Sequence, residues 1–185
     1  TAQDRLYHGI KDLPIVSPHG HCEPAWFAQN LPFENPAELL VVPDHYVFRM
    51  LYSQGVPLAR LGVGTPGKTA DPREVFRIFA QHWHLFLGTP SRTWIRYVLD
   101  ETLSIKDALS PETADKIYDD ISDMIARDDH RPRALFDQFN IEVLATTDSA
   151  LDDLQHHANI RASRWQGRII PTFRPDSVLD PSDPA

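Results

Sequence analysis

Two apolar, β-branched runs near the end of the chain constrain its fold most. Ile141-Glu142-Val143-Leu144-Ala145-Thr146-Thr147 reads as a strand closing on Asp148, and Arg168-Ile169-Ile170-Pro171-Thr172-Phe173 as a strand closing on Arg174. Leu151 to Ala162, between them, reads as a helix. The strands begin at residues 141 and 168, 27 residues apart, which is the interval of a strand–helix–strand unit. Such a unit crosses over right-handed and lays its strands parallel. A third run, Leu13-Pro14-Ile15-Val16, supplies a short strand expected to be buried.

Helices fill the interval between the first strand and the second. Asp44 caps one that runs through Tyr46, Val47, Met50 and Leu51 to a stop at Gly55. Asp71-Pro72 starts another, along which Val75, Phe76, Phe79, Trp83, Phe86 and Leu87 recur at helical spacing as far as Gly88. Ser91 opens a helix with Trp94, Ile95, Val98, Leu99 and Leu103 on one side. Ser110-Pro111-Glu112 opens one whose stripe is Ile117, Tyr118, Ile121, Met124 and Ile125, and Pro132 to Phe139 forms a short last one. The expected division is residues 1–22 for the N-terminal segment and first strand, 23–139 for a mainly helical insertion, and 140–185 for the other two strands with their helix. Three parallel strands do not close a sheet, and Asp180 to Ala185 reads as loop after the last strand. The expected fold class is α/β, most simply the N-terminal portion of a (β/α)₈ TIM barrel.

The net charge of −8 argues against nucleic acid or an anionic membrane surface as the main partner. A single local arginine can still hold a small carboxylate substrate. No apolar stretch approaches the roughly 20 residues that span a bilayer, and Thr1-Ala2-Gln3-Asp4-Arg5 lacks the pattern of a signal peptide. Cys22 is the one cysteine, which excludes an internal disulfide and fits a cytoplasmic location.

Chemistry in such barrels sits at the carboxyl ends of the strands. His19-Gly20-His21 follows the first run, and residues two apart on a strand share a face, so both imidazoles could hold one metal ion. A surface pair, or a satisfied core pair, is the alternative. Arg174 offers a planar fork matched to a carboxylate, or a solvated salt bridge. Tyr46, within Asp44-His45-Tyr46-Val47-Phe48-Arg49-Met50, could donate a hydrogen bond or move a proton, or fill the core. His45 and Arg49 share a helix face and could look toward a site or toward solvent. Cys22 could be a ligand or a small buried filler. His82 and His84, and His156 and His157, have spacings unsuited to chelation on a helix and read as structural. No phosphate loop, CxxC pair, HExxH helix or GxSxG elbow is present.

Together these segments resemble the uronate isomerase, or glucuronate isomerase, family of the amidohydrolase superfamily. The resemblance rests on His19-Gly20-His21, on Asp44-His45-Tyr46 with Arg49, and on Gly88-Thr89-Pro90. It extends through Phe139-Asn140-Ile141 to Ala145-Thr146-Thr147-Asp148, His156-His157 and Phe173-Arg174-Pro175-Asp176. Tyr46 follows His21 by 25 residues, as in the family. The resemblance implies a distorted (β/α)₈ barrel with a helical insertion after strand one. It implies an aldose–ketose isomerase acting on D-glucuronate and D-galacturonate, with D-fructuronate and D-tagaturonate as products. His19 and His21 match its metal ligands, with one divalent ion implied and zinc as first choice. Tyr46 matches a catalytic tyrosine near the substrate, and Arg174 the arginine that contacts the substrate carboxylate. The implied partner is a small uronic acid, with room for a homo-oligomer. The family is more than twice this long, so a further aspartate ligand, which is also the expected main base, and a nearby arginine are expected beyond Ala185, in a complementary C-terminal barrel half. Ser17-Pro18 departs from the acidic and aromatic pair of many members. The alternatives are a metal-dependent hydrolase of the same superfamily and a non-catalytic barrel piece.

Overall fold

The computed structural model describes residues 1–64 and 70–179. In chain order its regular elements are α1 (Ala2–Ile10), β1 (Ile15–Ser17), α2 (Pro24–Gln29), α3 (Pro36–Leu40), α4 (His45–Ser53), α5 (Pro72–Gln81), α6 (Pro90–Tyr97), α7 (Ala114–Ile125), α8 (Pro132–Gln138), β2 (Ile141–Ser149), α9 (Gln155–Ala162), β3 (Ile169–Arg174) and α10 (Asp176–Leu179). They divide into a strand unit, Thr1–Leu31 with Asp129–Ala185, and a helical unit, Pro32–Asp128.

The strand unit holds a three-stranded parallel sheet in the order β1-β2-β3. β2 and β3 are parallel neighbours joined through α9, as their spacing predicts. Phe27 of α2, Phe136 of α8, Leu144, Ile160 and Ile169 form its buried cluster, with Trp165 packed against them. The Trp165 ring stacks on Phe27 at 5.9 Å and meets Phe136 edge-on at 5.0 Å. Arg133 lies over the same indole and donates to the carbonyls of Phe27 (2.8 Å) and Ala28 (3.1 Å). These bonds satisfy the end of α2, whose carbonyls lack helical partners. Both α2 and α8 thus pack in the strand unit, although the sequence reading put them in the helical segment.

Two local readings need correction here. The Leu13–Val16 run is not buried: the strand is Ile15–Ser17, with Ile15 48% and Val16 58% exposed. Among the described residues β1 pairs on one side only, and Ile15 and Val16 are only partly covered. The helix expected from Leu151 starts at Gln155. Asp152 and Asp153 accept from the N–H groups of Leu154 (2.6 Å) and Gln155 (2.9 Å), a local turn that competes with helix.

In the helical unit, Asp44 accepts from Tyr46 N at 2.8 Å to cap α4, and Asp71 accepts from Arg73 N at 3.1 Å to cap α5. The chain turns at Gly55 with φ +85°, a conformation glycine adopts freely. The helix expected to reach Gly88 breaks at Gln81. Trp83–Phe86 form a tighter turn that still buries Trp83 and Phe86 but leaves Leu87 67% exposed. Trp94, expected on the apolar side of its helix, is 60% exposed. The core gathers Leu51, Leu61, Phe76, Phe79, Leu99, Ile117 and Ile121. No helix among the described residues is long and apolar enough to cross a membrane. The loop reading for Asp180 to Ala185 lies outside the described residues.

Candidate active site

All three strands run parallel, so their carboxyl ends share one edge of the sheet. The β1–β2 ladder ends with Ser17 opposite Leu144. Pro18 has no N–H to continue it. His19, Gly20 and His21 therefore lie beyond the strand, and strand alternation is not what aligns them. Their rings converge all the same: the two Nε2 atoms are 2.9 Å apart, with ring planes at 70°.

Two contacts hold the segment. A Cβ on Gly20 would sit 2.9 Å from the Ala145 carbonyl oxygen, so only glycine fits this approach. The Thr147 hydroxyl donates to the Gly20 carbonyl at 2.6 Å. Thr147 had no role in the sequence reading, since a threonine inside a strand carries no signal of its own.

The donor set fits a divalent ion. Imidazole nitrogens bind zinc at about 2.0–2.1 Å, so one ion could touch both Nε2 atoms at their 2.9 Å separation. Among the described residues, no group of three or more His, Cys, Asp or Glu converges to hold a metal, so the dyad supplies two donors. Cys22 packs against the Phe27 cluster, and burial, with the nearby Glu23 charge, pushes its thiol up.

Arg174 ends β3, on the same sheet edge as the segment that carries the dyad. Its Nε and Nη2 donate to Asp176 at 3.0 and 3.3 Å, and this pairing holds the Asp176 carboxyl below its usual range. With Thr147, Asp148, Ser149 and Asp176 it lines a cleft of about 230 Å³. Asp148 also joins Thr146 and His157 in a buried polar chain. Thr146 Oγ1 lies 2.7 Å from Asp148 Oδ2 and 2.8 Å from His157 Nε2. With Asp148 as a carboxylate, which only accepts, the hydroxyl proton points to Asp148 and His157 Nε2 donates to the hydroxyl. Thr172 N of β3 also donates to Asp148, at 3.3 Å.

Tyr46 belongs to the helical unit. It is 61% exposed in this chain, and the His45 ring lies 4.2 Å from its own. With Met50, Phe86, Thr89, Pro90, Ser91 and Trp94 it lines a cavity of about 410 Å³. The structure brings His19 and His21 together, places Arg174 at their sheet edge and carries Tyr46 on the helical unit. Arg49 is exposed.

Fold and site define an α/β protein that gathers polar chemistry at the carboxyl edge of a small parallel sheet. The model of the glucuronate isomerase family matches residues 1–183, and the chain belongs to that family. It is 58% identical over 177 residues to the uronate isomerase of Rhizorhabdus wittichii, covering 96% of this chain and 37% of the relative. It is 53% identical over 181 residues to the uronate isomerase of Rhizobium meliloti, covering 96% and 38%. The crystal structure of glucuronate isomerase from Caulobacter crescentus superposes with a TM-score of 0.91 at 51% identity, over 95% of this chain and 37% of that one. The uronate isomerase of Thermotoga maritima gives 0.84 at 29% identity, over 95% and 38%. The chain thus spans little more than a third of the length of the curated relatives it matches.

Proposed function

We propose that the protein carrying this chain is a uronate isomerase, interconverting D-glucuronate with D-fructuronate and D-galacturonate with D-tagaturonate. The observation that carries this reading is the convergence of His19 and His21, 2.9 Å apart beyond β1, in a chain of the glucuronate isomerase family. The three strands are read as the first of a distorted (β/α)₈ barrel of the amidohydrolase superfamily, completed by sequence beyond Ala185. The helical unit is read as an insertion after the first strand.

Aldose–ketose isomerisation moves a proton between neighbouring carbons through an enediol, and so needs a base and a stabilised oxyanion. His19 and His21 would hold one divalent ion, zinc being the first choice, which when bound supplies Lewis-acid polarisation of a substrate oxygen. Arg174 would present its planar fork to the substrate carboxylate, in exchange with Asp176, and so fix the reacting carbons. Tyr46 would donate a hydrogen bond to the sugar or carry a proton. The main base is assigned to the part of the protein beyond Ala185.

The test is made in the full-length protein, following conversion of D-glucuronate to D-fructuronate together with bound metal. His21→Ala should lower both, by more than the roughly 10–100-fold that loss of an outer-shell partner costs. Hydrolysis of a lactone without isomerisation would overturn the reading. Full turnover in metal-stripped protein would remove the ion from it.

A further inference from the structure

The metal dyad sits where the sheet's own hydrogen bonding has stopped. The β1–β2 pairing ends at Ser17 opposite Leu144, and Pro18 cannot donate to a neighbouring strand. Imidazole ligands bind more tightly when their spacing is fixed before the ion arrives, because ordering them otherwise costs chain entropy. Something other than the ladder must therefore hold the backbone of His19-Gly20-His21 to β2.

We infer that Thr147 is the positioning residue for this dyad, through the bond from its hydroxyl to the Gly20 carbonyl. That bond is 2.6 Å long, is partly buried, and joins residues 127 apart in sequence. It grips the carbonyl of the one residue flanked by both ligands. Gly20 completes the clasp from the other side. Its missing Cβ lets the segment lie against the Ala145 carbonyl, where a methyl group would come within 2.9 Å. β2 thus continues to guide the chain past the end of the ladder, by a side chain at Thr147 and by close backbone approach at Ala145. Thr147 itself is well anchored. It pairs with Thr172 of β3, and its neighbours Thr146 and Asp148 are fixed on the opposite face by the bonds to His157 and Thr172. Thr147 is not a ligand of the ion in this account. It acts through the geometry of His19 and His21.

The inference rests on the reading of the dyad as a metal site, and its test separates the two. In the full-length protein, Zn²⁺ affinity is measured by competition with a chromophoric chelator, and Co²⁺ loading by its visible absorption spectrum. Thr147→Val keeps the shape and removes the hydroxyl. Its Zn²⁺ affinity should fall about tenfold, the lower end of what outer-shell partners contribute, and its Co²⁺ spectrum should change. Thr147→Ser keeps the hydroxyl and should restore both. If Thr147→Val does not fold, as judged by circular dichroism, Thr147→Ala and Gly20→Ala take its place, each with the same expected loss. Wild-type affinity and an unchanged Co²⁺ spectrum in the folded variants, with His21→Ala strongly impaired, would overturn the positioning role and leave the metal site standing. If His21→Ala binds Zn²⁺ as the wild type does, the metal site itself falls and the role of Thr147 falls with it.

Discussion

The helical unit and the strand unit solve burial differently. The helical unit closes around its own aromatic and aliphatic stripes: Phe79 is fully buried, with Phe76, Trp83 and Phe86 edge-on about it at 5.3 to 6.0 Å. The strand unit has only a small buried cluster, around Phe27 and Trp165, among the described residues. Helical stripes find partners nearby in sequence, whereas a sheet face has to be covered by other elements. The polar clasps therefore matter more in the strand unit, where Thr147, Thr146 and Asp148 hold what apolar packing does not. The largest effect that sharpens this contrast is Phe79→Ala, expected to cost about 3–5 kcal/mol in urea unfolding. Val16→Ala in this same chain should stay within about 0.5 kcal/mol. Similar losses at the two positions would break the comparison.

A smaller effect tests the clasps. Thr146→Val removes a hydroxyl that is fully buried between Asp148 and His157 and leaves both facing an apolar group. The expected cost is about 1–3 kcal/mol, the penalty for buried polar groups that lose a partner. Thr146→Ser should recover most of it, since the hydrogen bonds return and only a methyl group is lost. If valine is tolerated without loss in thermal or urea unfolding, the strand unit does not depend on this polar chain.

How much of this was legible in the sequence follows the same division. The parallel β2–α9–β3 unit could be read because two apolar, β-branched runs and a 27-residue interval leave few other topologies. The caps at Asp44 and Asp71 could be read because their signals are local. The break after Gln81 could not, since the periodicity of Phe79, Trp83 and Phe86 survives a switch to a tighter turn that keeps all three buried. The short helices α1, α2 and α3 carry too few apolar repeats to stand out. At the site, the histidines and Arg174 announce themselves by residue type, and the structure adds that the dyad lies past the strand rather than on it. Thr147 and Ala145 act through a hydroxyl and a backbone carbonyl across more than a hundred residues, a pairing that no spacing rule reveals.

The smallest expected effect concerns the surface of the helical unit. Arg77 of α5 donates twice to Asp115 of α7, at 2.9 and 3.1 Å, and Arg73 adds contacts to Asp115 and Asp119. The bonds from Arg77 come first in holding the Asp115 carboxyl below its usual value of 3.8. A lowered folded value means that the stabilisation is fully present above pH 3.8 and is lost as pH falls through the lowered value. Asp115→Asn should thus be slightly less stable than wild type at pH 7, with a gap that closes as acid protonates the wild-type carboxylate. The pair is exposed, so added salt should narrow the gap at pH 7 as well. Thermal unfolding from pH 7 to pH 2.5, at low and high salt, reads both trends. A gap that stays constant with pH and salt would show that Asp115 acts by packing, and would tie this surface to the same apolar economy as the core beneath it.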